Sequence, residues 1–251
     1  LLAIQVIENY VKNSLQVAGG VVGAVIGFVA TLLTLELVGF GNRADPVGSG
    51  FVTNLARPGG NVTGFLMYES GIVGKWLGML KEVAPPITRV ALLGSRSSAS
   101  FDYFVRAASA AAPSFGLDLM PSGVENAADI ERAIESLART PNGGLLLPPD
   151  NTIQEHRNVV IALAGKHRLP AVYALRSMVA AGGLMSYGTP VVTMFRSAAS
   201  YIDRVLRGEK PADLPVQAPT KFETVINIKT AKALGLVIPP GLLVAADEVI
   251  E

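Results

Sequence analysis

From Arg89 onward the chain alternates between two hydrophobic periods. Arg89 to Leu93 (RVALL) is a continuous apolar run ending at Gly94-Ser95, which predicts a short buried strand. Phe101, Phe104, Val105, Ala108 and Ala112 then recur at helical spacing until Pro113. The same unit repeats. Leu117 to Met120 predicts a second strand, and Ile130, Ala133, Ile134 and Leu137 a second helix, opened near Asn126 and stopped at Pro141-Asn142-Gly143. Leu145 to Leu147 predicts a third strand, ended by Pro148-Pro149-Asp150-Asn151, and Val159, Val160, Leu163 and Ala164 the apolar face of a third helix. Ala171 to Tyr173 and Leu184 to Ser186 complete five strands. Beyond them, Met194, Ala198, Tyr201, Ile202, Val205 and Leu206 line a long helix ending at Gly208, residues 210–219 form a proline-punctuated connector, Phe222 to Ile228 is strand-like, and a short helix is capped by Gly235.

Strands alternating with helices of this length imply an α/β fold with a doubly wound parallel sheet and right-handed crossovers. In such sheets ligands bind beyond the carboxyl ends of the strands, which directs attention to the loops beginning at Gly94, Pro148, Ala174 and Tyr187. The stretch Asp45 to Phe65, DPVGSGFVTNLARPGGNVTGF, adds a different kind of signal. Asp45-Pro46 is a helix start, Phe51, Val52 and Leu55 a short apolar stripe, Arg57-Pro58-Gly59-Gly60 a stop, and Asn61 to Phe65 an extended crossover. Leu184 to Tyr187, flanked by Gly182-Gly183 and Gly188, is the natural second crossover.

Those residues, with GKWLGMLKEVAP, ITRVALL, PAVY, GGLMSYG, KPADLPVQAPTKFETVINIKTAKALGL and ADEVIE, resemble the ABC-transporter substrate-binding proteins of the tryptophan/tyrosine-binding type. The resemblance runs from about Asp45 to Glu251 and fails upstream. It implies a periplasmic-binding-protein-like architecture of two doubly wound lobes joined by a hinge, with the first lobe incomplete. Residues 65–186 would form the second lobe, and residues 45–64 and 187–251 the remaining first lobe. The hinge would lie at Thr63, Gly64, Ser186 and Tyr187. The implied function is capture of a small molecule, an amino acid and in particular an aromatic one, for delivery to a membrane permease and its ATPase. The expected location is periplasmic or membrane-anchored and extracytoplasmic. Two alternatives stay open: a membrane-tethered ligand sensor, and a truncated product that does not bind.

Candidate ligand contacts follow from chemistry at the strand ends. Ser95, Ser97 and Ser98 stand between a strand and a helix, where hydroxyls and unpaired amides suit a carboxylate, although plain helix capping explains them equally well. Asp150 is placed to receive a ligand ammonium or to cap the helix starting near Thr152, and Asp45 has the same two readings. Tyr187 and Tyr173 offer a ring and a hydroxyl to a ligand or to the packing around them; Phe65 and Tyr68 are aromatic wall or core.

Composition narrows the alternatives. The chain has 251 residues, half of them apolar, enough for a substantial core. With 21 Lys plus Arg against 20 Asp plus Glu, it offers no electrostatic case for nucleic acid. It has no cysteine, which removes disulfides, thiolate metal sites and a cysteine nucleophile. Its two histidines, His156 and His167, lack a metal-pair spacing, and no nucleophile elbow, phosphate-binding loop or zinc-protease motif occurs. The expectation is therefore no enzyme, no metal and no cofactor. Val17 to Leu35 (VAGGVVGAVIGFVATLLTL) is uncharged and near the length of a membrane span, with Gly19, Gly23 and Gly27 on one helical face. Within residues 1–44 it reads as a membrane anchor, as buried core, or as sequence foreign to the fold.

Overall fold

A computed structural model describes residues 46–48, 50–69 and 71–251. Asp45 and the apolar run Val17 to Leu35 lie outside the described residues. Two compact units emerge: the first takes in the described residues up to Met67 together with Pro190–Thr220, the second Tyr68–Thr189 together with Lys221–Glu251. The chain thus passes between units three times.

In the second unit the elements in chain order are α1 (Ile72–Val83), β1 (Arg89–Ser95), α2 (Ala99–Ala111), β2 (Asp118–Val124), α3 (Ala127–Ala138), β3 (Gly143–Leu147), α4 (Asn151–Glu155), α5 (Arg157–Lys166), β4 (Ala171–Tyr173), α6 (Arg176–Ala180) and β5 (Met185–Gly188). After α7 (Val191–Leu206) of the first unit come β6 (Glu223–Asn227), α8 (Ile228–Leu234), α9 (Pro240–Val244) and β7 (Glu248–Ile250). The strands form one sheet in the order β2-β1-β3-β4-β5-β6-β7. All neighbours run parallel except β5 and β6, which are antiparallel.

Helices cover both faces. On one, Ile130, Ile134 and Leu137 of α3 and Val160 and Leu163 of α5 pack on Ala91, Leu93, Leu145, Leu147, Ala171 and Tyr173. Tyr173, considered above as a ligand contact, is a core residue of this face, and burial pushes its hydroxyl far above the usual tyrosine pKa. On the other, α1 turns Ile72, Val73, Trp76, Leu77, Leu80 and Val83 inward at helical spacing. Trp76 meets Phe104 of α2 at 5.8 Å and Tyr68 at 5.9 Å between ring centroids. Gly74 of α1 has nothing within 4 Å of where a Cβ would stand. Gly74→Ala is therefore expected to raise stability by about 0.5–1 kcal/mol, because alanine loses less backbone entropy in a helix; a urea titration measures it, and destabilisation would contradict the open space described.

The first unit contains α7 and a small core of Val52, Leu66 and Val216 with Phe51, Leu55 and Val62 against it. The predicted helix over Phe51 to Leu55 does not form among the described residues. The Thr53 hydroxyl donates to the carbonyls of Arg57 at 2.9 Å and Pro58 at 3.1 Å, while the Thr53 amide also donates to Pro58, so the segment folds back on itself instead of winding. Residues 63–66 run alongside 214–217. The Gln217 amide donates to Gly64, the Leu66 amide to Gln217, and the buried Thr63 hydroxyl to Leu214 at 2.6 Å.

The expected grouping of residues 187–251 with the first lobe needs correction. Residues 190–220 do group there, but 221–251 return to the second unit, because β6 hydrogen-bonds along β5 from Met185↔Ile226 to Gly188↔Glu223 and β7 continues the sheet. The first crossing falls after Met67 and the second after Thr189, so Thr63 and Gly64 lie in the first unit and Ser186 and Tyr187 inside β5.

Candidate ligand-binding site

The strand order reverses direction between β1 and β3, since β1 is followed in sequence by its neighbour on one side and then by its neighbour on the other. Such a switch point parts the loops at the carboxyl ends of the two strands and leaves a crevice there. Ser95 ends β1, and Asp150 follows β3 by three residues. They are in contact. One Asp150 carboxylate oxygen accepts the Ser95 amide at 2.9 Å, and the other accepts the Ile153 amide at 3.1 Å as the N-cap of α4. Asp150 is only 7% exposed, so this carboxylate ties two strand ends together as well as capping a helix. Gly94 admits this closeness: a Cβ there would stand 2.8 Å from the Phe101 ring and 3.7 Å from the carboxylate of Asp150.

The serine turn has a partner absent from the sequence reading. Glu125, directly after β2, reaches across to it. Its carboxylate accepts the Ser97 amide at 3.1 Å and lies 3.1–3.3 Å from the Ser95 and Ser97 hydroxyls; these pair with each other at 2.7 Å, so one of them donates to its neighbour and the other to Glu125. Desolvation works to raise the Glu125 pKa, but it is outweighed by the hydrogen bonds from the Ser97 amide, the serine hydroxyls and the Arg96 amide together, which hold the group below its ordinary value. The backbone at Glu125 is itself fixed: Asn126 caps α3 by accepting the Asp129 amide, and Asp129 accepts the Glu125 amide, both at 3.0 Å. Ser98 holds the N-cap position of α2 without a side-chain cap bond, and its hydroxyl pairs with that of Ser100 at 2.7 Å.

Tyr187 stands apart from these groups. Its ring stacks on Phe222 at 5.3 Å, with the Lys75 ammonium 5.8 Å from the ring centroid, and its carbonyl accepts the Trp76 indole N–H at 2.6 Å. Partial burial, and then the nearby charge of Asp247, raise its pKa. Phe65 packs on Tyr201 of the first unit at 4.8 Å, whereas Tyr68 lies in the aromatic core of the second with its hydroxyl buried and without a partner among the described residues. Ser186 is likewise buried, and its hydroxyl has no partner among the described residues. The structure therefore brings Ser95, Ser97, Ser98 and Asp150 to one end of the sheet and adds Glu125. The missing signal was positional: once β1 and β2 are neighbours, the residue after one strand lies beside the turn after the other, as Ser95↔Val124 shows.

A mostly parallel sheet with polar groups gathered at a switch point is the doubly wound α/β class, in which ligands bind at that point. The model of the ABC transporter substrate binding protein family matches residues 3–250, and the chain belongs to that family. The match begins far upstream of Asp45, where the sequence reading found no resemblance; the uncharged, glycine-rich run there carries few distinctive side chains. A tyrosine-binding protein of Clostridioides difficile is 27% identical over 192 residues, covering 76% of this chain. The chain spans 55% of the length of that relative. Among solved structures, an ABC domain from Streptococcus pneumoniae in complex with L-Trp is 29% identical, with a TM-score of 0.74 over 82% of this chain and 71% of that one. A conserved domain protein from Vibrio cholerae is 26% identical, with a TM-score of 0.75 over 82% and 69%.

Proposed function

We propose that this chain is the solute-binding component of an ABC-type uptake system and that its ligand is an α-amino acid, in particular an aromatic one. The observation that carries the reading is the junction of Ser95 and Asp150 at the switch point of the sheet. It offers a carboxylate for an ammonium and, one turn away, serine hydroxyls and amides for a carboxylate, the two charges of a zwitterion. The tyrosine and tryptophan ligands of the relatives support the aromatic class. In this reading the protein acts outside the cytoplasm. It captures ligand between two lobes, closes about the chain crossings that follow Met67, Thr189 and Thr220 rather than about Thr63-Gly64 and Ser186-Tyr187, and hands the ligand to a permease powered by an ATPase. Asp45 would contribute from the first lobe. Binding, without bond breaking, is the whole of the chemistry.

A thermal-shift panel of the common amino acids tests the reading. L-Trp or L-Tyr is expected to raise the melting temperature in a concentration-dependent way, because a ligand that binds only the folded state stabilises it by mass action. No response to any amino acid would overturn it. Asp150 needs a careful variant, since Asp150→Ala would strand two buried amides at a cost of about 1–3 kcal/mol each. Asp150→Asn removes the charge and keeps one of the two acceptors, leaving a single buried amide against an NH2 group instead of two amides stranded. It is expected to fold with a modestly lowered melting temperature and to lose most of the stabilisation by L-Trp, and full retention of that stabilisation would remove Asp150 from the site.

A further inference from the structure

The serine turn already holds an anion. The Glu125 carboxylate accepts one amide and one hydroxyl of the Ser95–Ser97 pair there, the same kinds of donor that a ligand carboxylate would use. Resting on the amino-acid reading above, we propose that Glu125 is a resident competitor for the carboxylate end of the ligand, and so sets both the affinity and the chemical selectivity of the site.

Three observations support displacement over a permanent scaffold. The bonds are long: the hydroxyls lie 3.1–3.3 Å from the carboxylate oxygens, against about 2.5–2.7 Å for well-seated hydroxyl–carboxylate pairs. Glu125 is exposed, so on leaving the turn its carboxylate regains water instead of becoming buried and unpaired. Its main chain is held by the cap of α3 through Asp129 and Asn126, so the exchange needs only side-chain rotation and leaves the strand end in place. Asp150 behaves differently. It is buried, it bonds two amides from separate elements, and it stays where it is. Ser95 stands between the two carboxylates, with its amide donating to Asp150 and its hydroxyl 3.1 Å from Glu125.

A ligand with both an ammonium and a carboxylate gains at Asp150 and then evicts Glu125 from the turn. An amine without a carboxylate gains only the first contact. The fraction of molecules with a vacant turn scales the apparent affinity for the zwitterion and leaves the amine unaffected.

Calorimetry with L-Trp and with tryptamine, its counterpart lacking the carboxylate, separates the possibilities. Glu125→Ala is expected to bind L-Trp roughly tenfold tighter than the wild type while tryptamine affinity stays the same. Glu125→Gln, which keeps the length of the side chain but loses its charge, should fall between them. If the wild type binds L-Trp and Glu125→Ala binds it equally or more weakly, the competition is refuted and the amino-acid reading stands. Tightening of L-Trp and tryptamine alike would also refute it, because the effect would then be a general one of removed charge. If neither the wild type nor Glu125→Ala responds to L-Trp or L-Tyr, both proposals fall.

Discussion

Trp76→Ala is expected to lower the stability of the second unit by about 3–5 kcal/mol, with a fall in melting temperature on the order of 10 °C. Trp76 is 0% exposed and sits where α1 meets the sheet, with Tyr68 and Phe104 against its ring. Truncation removes a large apolar surface and leaves a cavity that its two rigid aromatic neighbours cannot fill by small shifts. It also frees the Tyr187 carbonyl, which accepts the indole N–H at 2.6 Å in a part-buried setting. Trp76→Phe separates the two contributions: it restores most of the ring but not the donor, so it should recover the larger share of the loss. Urea unfolding followed by circular dichroism is the suitable measurement, since Trp76 is the only tryptophan and the variants remove the fluorescent reporter. A loss below about 1 kcal/mol for Trp76→Ala would mean that this cluster does not hold α1 to the sheet.

Gly188→Ala is expected to cost about 3 kcal/mol or more, at the upper end for an overpacked site. A Cβ at this position would stand 3.2 Å from the Ala174 carbonyl carbon, and its oxygen is closer still, far inside contact distance. The obstacle is backbone. No rotamer change relieves it, so either the end of β5 or the turn after β4 must move. Gly188 also pairs with Glu223 at the edge of the β5–β6 ladder, so a shift there works against strand pairing. The same thermal or urea measurement applies, with Gly74→Ala as the control for a glycine that has open space. Equal behaviour of the two variants would argue against the close approach at Ala174.

The sequence pattern was most legible where local signals and tertiary demands agree. Ala171 to Tyr173 is the fourth strand as expected, Asn126 caps α3 through its side chain, and Gly235 ends α8 in the left-handed conformation that glycine favours. Two kinds of element escaped. The segment of α1 carries a family resemblance, but its inward stripe of Trp76, Leu77 and Leu80 is established only by the structure, and β7 is too short to show a period. Phe51 to Leu55 failed for the opposite reason: it carries an apolar stripe, but Thr53 and Pro58 spend their hydrogen bonds on a turn. At the site, Ser95 and Asp150 could be found from their position after apolar runs. Glu125 could not, because beside Asn126 and ahead of Asp129 it reads as an ordinary helix approach; only the pairing of β1 with β2 places it against the serines.

The return of residues 221–251 to the second unit bears on how the molecule is made. The β5–β6 ladder joins strands separated by α7 and the connector of the other unit, so it cannot form as a local hairpin. During synthesis the first five strands emerge with β5 as an open edge, and that edge is closed only after the intervening segment has been laid down and looped back. Closure of so long a loop is entropically slow, and an unpaired edge strand is a site for misassociation in the meantime. Completing this sheet therefore requires β6 and β7, which are synthesised only after α7 and the connector of the other unit.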